Sequence, residues 1–131
     1  MKVLSLDLGD AWIGTALSDP LRIIARPHQT IKANDLLSFL NDLFLKEQID
    51  IIVIGYPRTM RDTESLQTKK IVVQKEMLEL QFPEKKFILW DERLSSKQAG
   101  IIQRQNSKVD KYKEHSIAAA LILETYLQFL T

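Results

Sequence analysis

The sequence contains no cysteine, and only two histidines, four glycines and four prolines in 131 residues. The lack of cysteine excludes a disulfide scaffold, thiol catalysis and every cysteine-based zinc site. No apolar run is long enough to cross a bilayer: the richest one, Ile117 to Leu123, is cut short by Glu124. No secretory leader is expected, because Met1-Lys2-Val3-Leu4-Ser5-Leu6-Asp7 puts a carboxylate where an apolar stretch is needed. Internal repeats and low-complexity tracts are also missing. What remains is a chain with 45% apolar residues, long enough for one domain that buries roughly two-thirds of its unfolded surface. A single domain over residues 1–131 is expected, in a cytoplasmic protein.

Charge of either sign is scarce in the sum but not locally. The formal net charge is +1. Between Arg93 and Lys113, however, six cations (Arg93, Lys97, Arg104, Lys108, Lys111 and Lys113) face the single Asp110, a local +5 against −4 for all other residues. Such segregation can present a basic face to a polyanion, although a solvated lysine-rich surface has the same composition. No aromatic cluster accompanies these cations to argue for base stacking.

Hydrophobic periodicity sets the architecture. Val3 to Leu8 and Trp12 to Leu17 read as two strands joined at Gly9-Asp10, and Ile23 to Ile31 as a third. The period then changes. Asn34 is placed to cap a helix carrying Leu36, Leu37, Leu40, Leu43 and Phe44. Asp50-Ile51-Ile52-Val53-Ile54-Gly55 is a β-branched run suited to a strand buried on both faces. A helix from Thr63 to about Leu80, a strand over Lys86 to Trp90, a short helix from Ser95 or Ser96 to about Gln105, and a helix from Tyr112 to Leu130 complete the order. Helical crossovers between the later strands imply parallel pairing. The fold class is therefore α/β: a mixed five-stranded sheet, three antiparallel strands followed by parallel ones, with helices on both faces. Ligands of such sheets bind beyond the carboxyl ends of the parallel strands.

Acidic residues stand at that edge. Asp7 interrupts an apolar strand, and an unpaired carboxylate buried there would cost several kcal/mol, roughly. It calls for a cation, a metal or a set of hydrogen bonds, and capping the turn at Gly9 is the simplest structural use. Glu92 follows the fifth strand, where it can pair with Arg93 or Arg58. Two carboxylates converging on one point is also the arrangement that holds hard divalent cations.

Four segments then point to a family. Leu6-Asp7-Leu8-Gly9-Asp10-Ala11-Trp12-Ile13-Gly14, Val53-Ile54-Gly55-Tyr56-Pro57, Asp91-Glu92-Arg93-Leu94-Ser95-Ser96, and Ala118-Ala119 through Ile122-Leu123-Glu124 resemble, in order and spacing, the YqgF/RuvX family. These are Holliday-junction-resolvase-like nucleases, also described as pre-16S rRNA nucleases. The resemblance implies a ribonuclease H-like fold, with Asp7 and Glu92 as metal-binding carboxylates. It also implies a third acidic residue near the start of the last helix, where this chain has His115. Neighbouring Glu114 lies about 100° further round that helix and is no obvious substitute. His115 shares a helix face with Ala119, Ile122 and Tyr126, and neutral imidazole suits Mn²⁺ better than Mg²⁺. A second departure is Ala11-Trp12, where the family has basic or polar residues.

The expected activity is a metal-dependent phosphodiesterase acting on structured nucleic acid, either precursor ribosomal RNA or branched DNA. Two Mg²⁺ or Mn²⁺ ions about 4 Å apart would clamp the scissile phosphate. Asp7, Glu92 and His115 form the expected catalytic and metal-binding set. Arg58, Arg61, Arg93, Lys97, Lys108, Lys111 and Lys113 would grip the phosphate backbone. Two rivals stand beside this. One is half of an actin-like ATPase, for which a second such domain is missing. The other is a non-catalytic nucleic-acid or ribosome-assembly module in which His115 marks a decayed active site.

Overall fold

The computed structural model describes residues 1–56, 66–91 and 111–130, with the side chains of Lys111 and Tyr112 left aside. Five strands, β1 (Lys2–Leu8), β2 (Trp12–Ser18), β3 (Ala25–Lys32), β4 (Ile49–Tyr56) and β5 (Lys86–Asp91), form one sheet in the order β3-β2-β1-β4-β5. β1 pairs antiparallel with β2 and β2 with β3, while β1–β4 and β4–β5 are parallel. This is the mixed sheet the sequence predicts. Three α-helices are described: α1 (Leu36–Lys46), α2 (Leu66–Gln81) and α3 (Lys111–Leu130). The expected short helix between Ser95 and Gln105, and the Thr63 start of α2, lie outside the described residues. Among those residues, no helix is long and apolar enough to cross a membrane.

The sheet has a core on each face, and strand alternation sorts side chains between them. On one face Leu4, Leu6 and Leu8 of β1 meet Leu36, Leu40 and Leu43 of α1 and Ile71 and Leu78 of α2. On the other, Val3, Ala16 and Val53 pack beneath Ala119, Ile122, Leu123, Tyr126 and Leu127 of α3. Ile52, Val53 and Ile54 are fully buried, as their unbroken β-branched run requires of a strand covered on both sides.

Two local predictions are corrected. The third strand begins at Ala25 rather than Ile23. The Asp19 carboxylate accepts hydrogen bonds from the N–H groups of Leu21, Ile23 and Ile24 and folds that segment into a loop. Within it Arg22 adopts φ 60°, a left-handed conformation unusual for a residue with a side chain. Its guanidinium donates to both Asp50 carboxylate oxygens at 2.6 Å and to the Met1 carbonyl at 2.8 Å. The second correction concerns Asn34, which does not cap α1. A 3₁₀ turn over Ala33–Asp35 precedes the helix, and Asp35 occupies the cap position without a side-chain bond. The Ala33 N–H donates to the Ala11 carbonyl at 2.9 Å, which ties this turn to the β1–β2 hairpin.

Candidate active site

The site is built where β1 passes under the first turns of α3. Val3 belongs to the α3-facing core, so Ser5 and Asp7, at alternate positions, face α3 as well. Ser5 is fully buried, and its hydroxyl donates to the Ala119 carbonyl at 2.6 Å. One helical turn earlier stands His115. Asp7 pairs across the ladder with Gly14 of β2, and directly opposed residues show their side chains on the same face. At Gly14 the helix backbone comes down onto the sheet. A Cβ there would sit 2.8 Å from the Ser116 nitrogen and nearer still to the His115 carbonyl group. Gly14 is therefore required by close approach, and it brings the start of α3 to the level of Asp7. Both Asp7 and His115 are half-buried.

Gly9 meets a related demand at the hairpin, where a Cβ would press on the Trp12 carbonyl oxygen. On the other side of β1, Leu6 pairs with Ile54, and Gly55 with Trp90. The end of β5 at Asp91 is thus near the level of Asp7, one strand removed. Trp90 anchors that strand to α3: its indole N–H donates to Thr125 at 2.8 Å, and its ring meets Tyr126 edge-on at 5.3 Å.

The structure brings together Asp7 and the helix turn carrying His115. Glu92, Arg93, Arg58, Arg61, Lys97 and Lys108 lie outside the described residues. Lys111 is in the first turn of α3 and Lys113 is exposed beside it, two residues before His115. Among the described residues, no three His, Asp or Glu side chains are grouped closely enough to hold a metal. Carboxylate and imidazole are donor types that suit Mn²⁺ or Zn²⁺. Sequence reasoning missed Ser5 and Gly14. The signal for Ser5 was its alternation with Val3 and Asp7 on a strand that is otherwise apolar. Gly14 carried no such signal, because its contact lies a hundred residues away in the chain.

This arrangement, a mixed sheet with a carboxylate on its first strand beneath the start of the last helix, defines a ribonuclease H-like α/β protein. The chain matches the RuvX family, described as "Holliday junction resolvase", over residues 1–129, and it belongs to that family. It is 34% identical over 128 residues to a protein of Rubrobacter xylanophilus, covering 97% of this chain and 92% of that one. It is 37% identical over 136 residues to one of Caldicellulosiruptor saccharolyticus, covering 99% of each. Both relatives bear the name "Putative pre-16S rRNA nuclease". The fold is also that of T. thermophilus RuvC solved in complex with a Holliday junction substrate. The TM-score is 0.61 at 12% identity, with 99% of this chain and 95% of that one covered. The Fowlpox virus resolvase, solved with Holliday junction DNA, superposes with a TM-score of 0.54 at 15% identity. Family membership sets aside the reading as half of an ATPase.

Proposed function

We propose that this chain is a divalent-metal-dependent nuclease that hydrolyses phosphodiester bonds in structured nucleic acid, either at the 5′ end of precursor 16S rRNA or in branched DNA. The observation that carries the reading is the half-buried Asp7 on the α3-facing side of β1, opposite Gly14 and level with the turn that bears His115. Family membership and the names of the relatives support the activity. Asp7 and His115, joined by Glu92, would hold Mg²⁺ or Mn²⁺. A metal bound there supplies charge stabilisation for the phosphorane-like transition state and a more acidic water. The chain's own part is to fix the carboxylate, exclude water from its apolar side and align the phosphate. Ser5 helps by locking α3 to β1. Arg93, Arg58 and Arg61 suit bidentate contact with phosphate oxygens, and Lys97, Lys108, Lys111 and Lys113 would add charge for the backbone.

Histidine in place of the family's acidic residue also supports a second reading, a binding module that no longer cleaves. One experiment separates them: cleavage of labelled precursor rRNA and of a four-way DNA junction, in Mg²⁺ and in Mn²⁺. A nuclease using His115 as a ligand prefers Mn²⁺ to Mg²⁺. His115→Asp should then restore Mg²⁺ use. Asp7→Asn should abolish cleavage without lowering the melting temperature. Retained cleavage in Asp7→Asn refutes the metal site, and strand binding with no cleavage in either metal establishes the module.

A further inference from the structure

At the hairpin end of the sheet, beside the proposed site, lies an open groove of about 310 Å³ lined by Asp10, Ala11, Trp12, Lys32, Ala33 and Asn34. Its volume is at the lower end of the range for small-ligand pockets. Trp12 begins β2 and Lys32 ends β3, and the two are directly paired across the ladder, so their side chains share a face. Trp12 lies two residues from Gly14 along β2, which places it on the same sheet face as Asp7. The offset along the strand is about 7 Å. Trp12 is 37% exposed as a residue, and Lys32 is exposed beside it. The hydrogen bond from the Ala33 N–H to the Ala11 carbonyl holds the far wall of the groove against the hairpin.

An exposed tryptophan next to an exposed lysine, on the strand beside the one that carries Asp7, matches one ligand chemistry in particular. We infer that the Trp12–Lys32 groove takes an unpaired nucleobase of the substrate, stacked on the indole, while Lys32 neutralises the adjoining phosphate. This deepens the proposed nuclease reading, on which it rests, by naming the substrate as one that offers a base out of its duplex beside the cut. A flat aromatic face accepts any base, because every base has a π-face. A paired base in a continuous duplex is already stacked on both sides and would not enter. The groove also has its own selectivity for bases over bare phosphate. The Asp10 carboxylate repels phosphate, partly offset by Lys70 at 3.8 Å, and can accept from a base amino group, as the Asn34 amide can donate or accept at a base edge. Where a basic residue would grip phosphate, this chain grips the base.

The test reads indole fluorescence in EDTA, so that neither metal nor turnover is needed. The chain has two tryptophans, and Trp90→Phe leaves Trp12 as the sole reporter. The probes are a single-stranded oligodeoxyadenylate, an abasic strand of the same length, and the oligomer annealed into a blunt duplex. Saturable quenching by the base-bearing strand is expected, with little from the abasic strand or the duplex. In otherwise wild-type protein, Trp12→Ala should weaken binding of the base-bearing strand about 5- to 150-fold, the worth of one stacked base. Binding of the abasic strand should be unchanged, and Trp12→Phe should recover much of the loss. Equal quenching by abasic and base-bearing strands overturns the inference, as does unchanged affinity in Trp12→Ala. The nuclease reading fails separately: base-specific quenching by a protein that cleaves nothing leaves this groove standing, whereas normal cleavage with no quenching removes the groove alone.

Discussion

Adding one methyl group at Gly14 tests whether the site is assembled by contact between β2 and α3. Elsewhere Gly→Ala at a compatible backbone gains about 0.4–1 kcal/mol, because the unfolded chain loses freedom. Gly14 has ordinary negative-φ backbone, so that gain is the default expectation. The contact reverses the sign. A Cβ there would lie 2.8 Å from the Ser116 nitrogen and closer to the His115 carbonyl, and both are backbone atoms that cannot rotate aside. The helix must lift. A gap of about 0.5–1 Å forfeits a quarter to a half of the dispersion energy across an interface. That interface contains Ala119, Ile122, Leu123, Tyr126 and Leu127, all nearly or fully buried. The Ser5 to Ala119 hydrogen bond, 2.6 Å long, stretches with it. Together these give a net loss of about 2–4 kcal/mol. For a chain of this size that is a fall in Tm of about 8–16 °C. Thermal and urea unfolding followed by far-UV circular dichroism would measure it, with an unchanged urea m-value indicating a real stability change. A Gly14→Ala protein at least as stable as wild type would refute the close approach, and with it the placement of His115 level with Asp7.

Two further perturbations reach other parts of the molecule. Replacing Lys108, Lys111 and Lys113 with Gln should weaken nucleic-acid binding alike for all sequences and lower the slope of log affinity against log salt by as much as about 2–3; an unchanged slope would show that these lysines are only solvated surface. The Asp19 carboxyl is held below its ordinary value of 3.8, chiefly by the Ile24 N–H; burial opposes this, and the Ile23 and Leu21 N–H groups add smaller effects in the lowering direction. Its folded pKa is depressed, so its contribution is fully present above the unfolded value and disappears as pH falls from there through the folded pKa. Asp19→Ala should therefore melt lower than wild type at pH 7, with the gap closing below about pH 4; a gap that persists in acid would mean that the loop is held by something other than the ionised carboxylate.

Much of the fold was legible because local patterns and global packing agree here. The run Ile51 to Ile54 is β-branched throughout, and Ile52, Val53 and Ile54 are buried on both faces. Leu36, Leu40 and Leu43 fall on the buried side of α1, and Ala119, Ile122 and Tyr126 on that of α3, as their spacing requires. Prediction failed where a specific hydrogen bond outweighed a preference of residue type. Asn34 is a good cap by type, but the Ala33 to Ala11 hydrogen bond tightens the turn before the helix can start there. Ile23 and Ile24 favour a strand, but the Asp19 carboxylate captures their N–H groups. The candidate site divides the same way. Asp7 stood out because a carboxylate in an apolar strand has few inexpensive explanations. The approach of α3 onto Gly14 was invisible, since nothing near a glycine in the sequence states what will lie above it.

The two places where the chain departs from the pattern its resemblance implies are His115, in the first turns of α3, and Trp12, on the sheet face that α3 covers. In our reading they act together. Exchanging a carboxylate for an imidazole removes one negative charge from the site at neutral pH, which lessens repulsion of the phosphate but also loosens the hold on a hard cation. Affinity then depends less on phosphate bridged to metal and more on contacts that need no metal. An indole offering about 1–3 kcal/mol per stacked base is such a contact. The pair shifts recognition from backbone charge toward an exposed base, so the double variant His115→Asp, Trp12→Arg should show stronger salt dependence and weaker preference for single-stranded ends than either wild type or His115→Asp.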